Sequence, residues 1–407
     1  MAFDIALTGL SAASVDLDVI ANNIANSATT GFKESRAEFA DIFAATNLGI
    51  GSNVGQGVQV TAVRQLFTQG DLKFTENNLD LAISGNGFFR INDNGVINYT
   101  RAGMFGVDAN GYLVNAKGQR LTGYLADGNG NITGLLGDLQ LSTAAQPPQA
   151  TDLVTLAANL DATESIPPAF TVGPNGPDPA TYNHSTSVTI YDSLGAPHVA
   201  TLYYRLDATN QWESFLFVDN TQVAGPDVIT FNPDGSLNQI NGASVTQITT
   251  APFNPGGGAA NMTLTLDYAA LTQYGSPFSV NSLSQNGSPT GRLSDIDIDK
   301  TGVIFARFSN GRSLALGQVA LVSFANPQGL QPLGDTAWAE TFDSGAPLVG
   351  TPGSGELGTV QSGALEESNV DITAELVALI TAQRNFQANA QVISASDDIT
   401  QTIINIR

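Results

Sequence analysis

Large apolar residues recur at alternating steps of four and three near both ends of the chain. In residues 1–28 the stripe runs Phe3, Leu7, Leu10, Leu17 and Ile24, with Ser14 and Ala21 at the remaining seam positions. Heptad spacing of this kind predicts an amphipathic helix with a packing seam. Ile5, Val15, Val19 and Ile20 lie off the stripe, so more than one face is apolar. Thr29, Thr30 and Gly31 are expected to stop the helix, with Gly31 as a left-handed cap. At the other end, Ile372, Leu376, Leu379, Gln383, Phe386, Ala390, Ile393, Asp397, Thr400 and Ile404 keep the same stepping. Val377, Ile380, Val392, Ile399, Ile403 and Ile406 supply a second stripe. Ser368 or Asn369 would cap this helix, with Asp371 in its first turn.

Between the ends the pattern changes period. From about Leu79 onward, short β-prone runs alternate with turn signals, as in "DLAISGNGFFRIND", "DANGYLVNAKGQRLTGY" and "DGNGNITG". Residues 34–74 read as a transitional linker, briefly helical through "AEFADIFAA" and then rich in Gly and Val. The Pro pairs Pro147/Pro148 and Pro167/Pro168, and later "QNGSPTGRL", mark boundaries. The predicted fold is mainly β with α-helical termini, and its domains are nested. Residues 1–33 and 364–407 form a terminal helical, coiled-coil domain. Residues 75–145 and 286–363 form one discontinuous β domain, and 146–285 form a second β domain inserted within it.

A two-helix hairpin buries one seam only, so the second stripes would stay wet. Two readings follow: the helices are ordered by packing against copies of the same chain, or they dock on the chain's own β domain. Under the first, the interface comprises Leu10, Leu17, Ile24, Asn22, Asn23 and Asn26 with Leu376, Leu379, Gln383, Phe386 and Ile393. The three amides are poor helix formers. They either hydrogen-bond across subunits and fix register, or mark a fraying helix end.

Composition narrows the function. The 407 residues carry 15 Lys+Arg against 37 Asp+Glu, a net charge of −22. That balance argues against nucleic acid and anionic membranes as partners. Charged residues are only 13%, against about 25% in ordinary domains, and glycine is enriched. This is the balance of a secreted, self-associating β protein. The absence of Cys excludes disulfides, thiolate metal sites and Cys nucleophiles. No apolar run of about 18 residues occurs. The first 32 residues lack Lys and Arg, so no cleavable signal peptide is expected.

Catalytic signals are missing. The two histidines, His184 and His198, are not spaced as metal ligands, and no GxSxG elbow occurs. Asp295, Asp297 and Asp299 share one face of a strand, where a Ca²⁺ site is conceivable but a solvated face is the expected reading. No catalytic, cofactor or metal residue is assigned.

Three stretches carry a resemblance. "ANNIANSATTGFK" (21–33), "SGNGFF" with "YTRAGMFGVDANGYLVNAKGQRLTGY", and "GALEESNVDITAELVALITAQRNFQANAQVI" (363–393) resemble the signatures of the axial proteins of the bacterial flagellar rod and hook. "YDSLGAPH", "LTQYGSPFSV" and the long run from "GRLSDIDIDK" resemble the hook branch in particular. The resemblance implies a curved, flexible tube that joins rod to filament and transmits torque as a universal joint. It also implies terminal helices as the inner coiled-coil layer, the discontinuous β domain around them, and the inserted domain outermost. Implied partners are copies of the chain, the rod, a hook cap and hook–filament junction proteins. The implied route is the type III export apparatus, to an extracellular location in the flagellum. The alternatives are a distal-rod-like subunit and, in another class, a secreted adhesin or Ca²⁺-binding β protein.

Overall fold

The computed structural model describes residues 2–42, 55–142, 144–174 and 176–405. A helix at each end, α1 (Ala2–Ala25) and α2 (Ile372–Asn405), brackets described residues that are otherwise strand and turn, with two 3-10 turns at Pro179–Thr181 and Pro327–Gly329. The mainly β fold with packed helical termini is therefore as expected. Two corrections apply at the helix ends. α1 ends at Ala25, ahead of the expected stop at Thr29–Gly31. Asp371 is the cap of α2, since its Oδ1 accepts the N–H groups of Thr373 (2.8 Å) and Ala374 (3.2 Å). Ile403, Ile404 and Ile406 lie outside the residues whose side chains are described.

The segment expected to be briefly helical is extended instead. Ser35–Asp41 (β1) pairs antiparallel with Val58–Gln65 (β2), and both pack on α1. Phe39, Val60 and Val63 remain exposed on this hairpin. Residues 43–45 of that segment lie outside the described residues. Strand wins over helix because the alternation of "SRAEFAD" places Ala37 in the buried row against α1.

The chain divides into two compact units: residues 1–143, 295–307 and 313–407, and residues 144–294 with 308–312. The first unit is organised on a large sheet. Its path runs through Val303–Phe308, Ser313–Val319, Arg120–Ala126, Phe88–Asp93, Val96–Thr100 and Ala337–Ala339. Both faces are covered, which explains the adjacent phenylalanines in "GFF". Phe89 joins Ile91, Leu121 and Val319 on one face, while Phe88 meets Tyr99, Phe324 and Trp338 on the other.

The second unit packs a four-stranded sheet, built on Leu153–Asp161 and Thr265–Tyr274, against a five-stranded antiparallel meander from His184 to Ile240. One core joins them, around Trp212, Tyr204, Tyr268 and Leu156. Leu153–Asp161, which lies between the two Pro pairs, is a core strand and not linker.

A single turn design recurs in "DANGY", "DGNGN" and "DKTGV". In the second, Asp127 Oδ1 accepts the N–H groups of Asn129 (2.9 Å) and Asn131 (2.8 Å) while Gly130 takes φ +84°. The third shows where the three aspartates go. Asp299 caps its own turn, Asp297 pairs with Arg307 at 2.5 Å, and Asp295 accepts from Asn78 at 3.4 Å. Among the described residues no group of three or more His, Cys, Asp or Glu is arranged to hold a metal ion. The histidines are likewise structural. His198 lies between Asp219 (2.6 Å) and Asp192 (3.4 Å), whose carboxylates hold its pKa above the usual range. His184 stacks on Phe278, and burial lowers its pKa.

Candidate assembly interface

The terminal helices run antiparallel along each other. Gly9 stands against Asn389 and Asn23 against Glu375, and the two contacts are equally spaced on both helices. Carried to the start of α1, that register sets Ala2 opposite Ser396. Residues 397–405 of α2 therefore extend past α1 by roughly 13 Å, at about 1.5 Å per residue.

The seam between the helices is not the expected stripe. Ala6, Ala12, Ala13, Ile20 and Asn23 are the buried positions among the described residues of α1, off the stripe of Phe3, Leu7, Leu10, Leu17 and Ile24. On α2, Glu375 and Ala382 are buried where Leu376 and Gln383 were expected. Small residues set this offset. Gly9 and the alanines let the two backbones approach; a Cβ on Gly9 would lie only 2.7 Å from Asn389 Oδ1. The larger side chains turn outward. Phe3 and Leu7 are about half exposed, as are Leu376, Ile380 and Val392, while Val377 and Ile399 are exposed more fully. Leu10, Leu17, Ile24, Leu379, Phe386 and Ile393 are half-buried, and Gln383 is exposed.

The three amides separate into two roles. Asn22 is exposed, and Asn26 Nδ2 donates back to Asn22 O (3.0 Å). Asn23 is 1% exposed and its amide is used within the chain. Its Nδ2 donates to Ser35 O (2.8 Å) and Glu375 Oε1 (2.9 Å), and its Oδ1 accepts the Ser35 N–H (2.9 Å). This corrects the expectation of a subunit-bridging Asn23: the residue ties α1 to β1 and α2.

Below this clamp lies a buried charge cluster that sequence reasoning did not single out. Glu366 Oε1 accepts from Lys33 Nζ (2.6 Å) and the Gly70 N–H (3.0 Å), and Oε2 accepts from Arg101 Nη1 (3.1 Å). Both Lys33 and Glu366 side chains are fully buried. Burial lowers the Lys33 pKa, Arg101 adds to that effect, and the Glu366 charge opposes it. Arg101 also donates to Gly85 O (3.0 Å), and the Gly31 N–H donates to Glu366 O (2.8 Å). Gly31 takes φ +71°, and a Cβ there would lie 2.6 Å from Ala102 N. Its glycine is required by this close approach rather than by the end of α1. Asn369 completes the junction, accepting the Glu34 N–H (2.7 Å) and donating to Leu66 O (2.9 Å). The three separated stretches that carried the resemblance thus converge on one carboxylate.

Comparison with known proteins agrees with that convergence. Residues 3–33 match the family "Flagella basal body rod protein", 82–159 the "Flagellar hook protein FlgE/F/G D1 domain", 159–288 the "Flagellar basal body protein FlaE D2 domain", and 361–406 the "Flagellar basal body rod FlgEFG protein C-terminal". The flagellar hook protein FlgE of Escherichia coli K12 is 38% identical over 419 residues, covering 100% of both chains. Its counterpart in Salmonella typhimurium LT2 is 39% identical over the same span, and that of Borreliella burgdorferi 32% over 98% of both chains. The chain belongs to the flagellar hook protein family. It is a structural subunit and not an enzyme, as that family is. The fold agrees with the crystal structure of Helicobacter pylori flagellar hook protein FlgE2, at a TM-score of 0.53 and 16% identity over 72% of this chain and 100% of that one.

Proposed function

We propose that this hook subunit polymerises through the outward stripes of its helix pair into a curved, flexible tube that transmits torque as a universal joint. The observation that carries the reading is the offset of the seam. Folding buries Ala6, Ala13 and Ile20 and sets Gly9 against Asn389, and it leaves Phe3, Leu7, Leu376, Val377 and Ile380 facing water. A row of large apolar side chains of this length marks an interaction face. Its match in the same chain is the equivalent row of the next copy. In the tube, the helix pairs form the inner layer, the strands of the first unit surround them and the inserted unit lies outermost. Asn22, whose side chain is exposed, sets register between copies, with Asn26 bonded to its carbonyl behind it.

Membership of the family supports the remaining partners of this reading: the rod at one end, junction proteins beneath the filament at the other, and a cap during growth. Delivery is through the type III export apparatus to the cell exterior.

The test is a pair of charge insertions on the stripe, Leu7→Glu and Leu376→Glu, at positions about half exposed. The expected result is a folded chain with an intact helix pair that forms no tubes by electron microscopy. Tubes forming at the unmutated protein's threshold would overturn the reading.

A further inference from the structure

Phe342 is 100% exposed, yet the loop that carries it is firmly held. Ser344, two residues on, is fully buried. Its Oγ accepts the Thr341 N–H (3.0 Å) and donates to Thr341 O (2.8 Å). Thr341 Oγ1 donates to Gly329 O (2.5 Å), and Asn326 Nδ2 donates to Asp343 O (2.9 Å). The loop rests directly on Gly329, where a Cβ would lie 2.5 Å from Asp343 C. An aromatic ring fixed in water by such a frame loses little conformational entropy on docking. Aromatic residues of this kind are the usual anchors of protein interfaces.

The same unit carries a cleft of about 240 Å³ whose apolar lining is Ile91, Ala102, Met104, Ala116 and Ala337, with polar residues around them that include both Lys117 and its ion-pair partner Asp335. Met104 is 49% exposed, and a thioether packs well against an aromatic edge. Charge selects the partner. The loop presents Glu340 and Asp343, and copies of a chain of net charge −22 repel unless an acidic loop meets one of the few cations. Lys117, ion-paired to Asp335 within its own chain, is such a cation and stays 56% exposed.

We propose that Phe342 of one copy seats in this cleft of a second copy, with Asp343 facing Lys117. The contact joins two different patches of one chain, so it repeats without closing on itself and propagates a helical array. The inference rests on the assembly reading above and names a contact outside the helix layer.

The chain has no cysteine, so thiols placed at Phe342 and Ala116 are the only ones present. Oxidised tubes of the Phe342→Cys/Ala116→Cys variant are expected to run as a ladder of covalent oligomers beyond dimer; neither single variant gives one. Phe342→Ala is expected to raise the critical concentration for assembly at least about tenfold with unchanged monomer melting, and Phe342→Trp to restore it. Tubes of Phe342→Ala at the unmutated critical concentration, or assembled double-variant tubes without a ladder, overturn the inference alone. Failure of the unmutated chain to form tubes overturns the assembly reading together with it.

Discussion

Glu366 is one negative charge shared by two buried cations, and the arithmetic of that cluster decides which of its members matters most. Removing Glu366 leaves Lys33 and Arg101 facing each other without a counter-ion, a loss of about 3–5 kcal/mol. Removing Lys33 leaves a neutral Arg101–Glu366 pair, so Lys33→Met is expected to cost clearly less than Glu366→Gln in chemical denaturation. The pH dependence carries the same signature. Burial lowers the Lys33 pKa below the usual lysine value of 10.5, so above the lowered value the unfolded chain holds a proton that the folded chain has released. Stability then rises with pH between the lowered value and 10.5. The unmutated protein should therefore gain on Lys33→Met across that window and keep a constant difference below it. Sequence alone showed "ANNIANSATTGFK" and "GALEESNVD" as signatures, but not that Lys33 and Glu366 meet. A buried ion pair formed across more than three hundred residues has no local pattern. Asn23 was visible as an oddity in a helix, and its partners, Ser35 and Glu375, were not.

At the scale of the element, the helices were legible and their faces were not. Four-three spacing reports that a helix has large apolar side chains along a stripe; it does not say which neighbour covers them. In α1 two such rows lie side by side, one of large residues (Phe3, Leu7, Leu10) and one of small (Ala6, Gly9, Ala13), and the intramolecular partner takes the small row because it allows closer approach. Gly9→Leu tests that choice. Its side chain would meet Asn389 and force α2 away, destabilising the pair by about 1–3 kcal/mol. Amide hydrogen exchange should accelerate in α1 and α2 while the strands around Phe89 and Leu121 keep their protection. Equal acceleration in both regions would mean that the helix pair is not a separable element. The hairpin β1–β2 was misread because "AEFADIFAA" has apolar residues compatible with either period. Only its packing on α1 selects the extended form.

At the scale of the whole molecule, the nested order of the chain bears on how a tube built from it bends. Gln146 and Gly291 exchange backbone hydrogen bonds of 2.8 and 3.1 Å, and Gln149 and Ser288 exchange two of 2.9 Å. The chain thus enters and leaves the inserted unit side by side, and deleting residues 147–285 joins Gln146 to Asn286 across a gap that a short glycine linker spans. The helix stripes and the Phe342 loop both belong to the remaining unit, so the shortened chain keeps the contacts proposed to drive assembly. What it loses is the unit proposed above to lie outermost, where weak polar contacts between copies would exchange as one side of the tube shortens. Few charges lie on this chain for its length, and the copies repel through a net −22. Contacts of that layer are therefore weak individually and sensitive to screening, which acts over roughly 10 Å at 0.1 M salt. Electron micrographs of the 147–285 deletion should show tubes of ordinary length with straight or irregular curvature. In the intact protein, curvature should change between 10 and 150 mM salt while the tubes persist. A deletion chain that forms no tubes would place the inserted unit among the assembly contacts; one whose tubes curve as before would remove it from the bending mechanism.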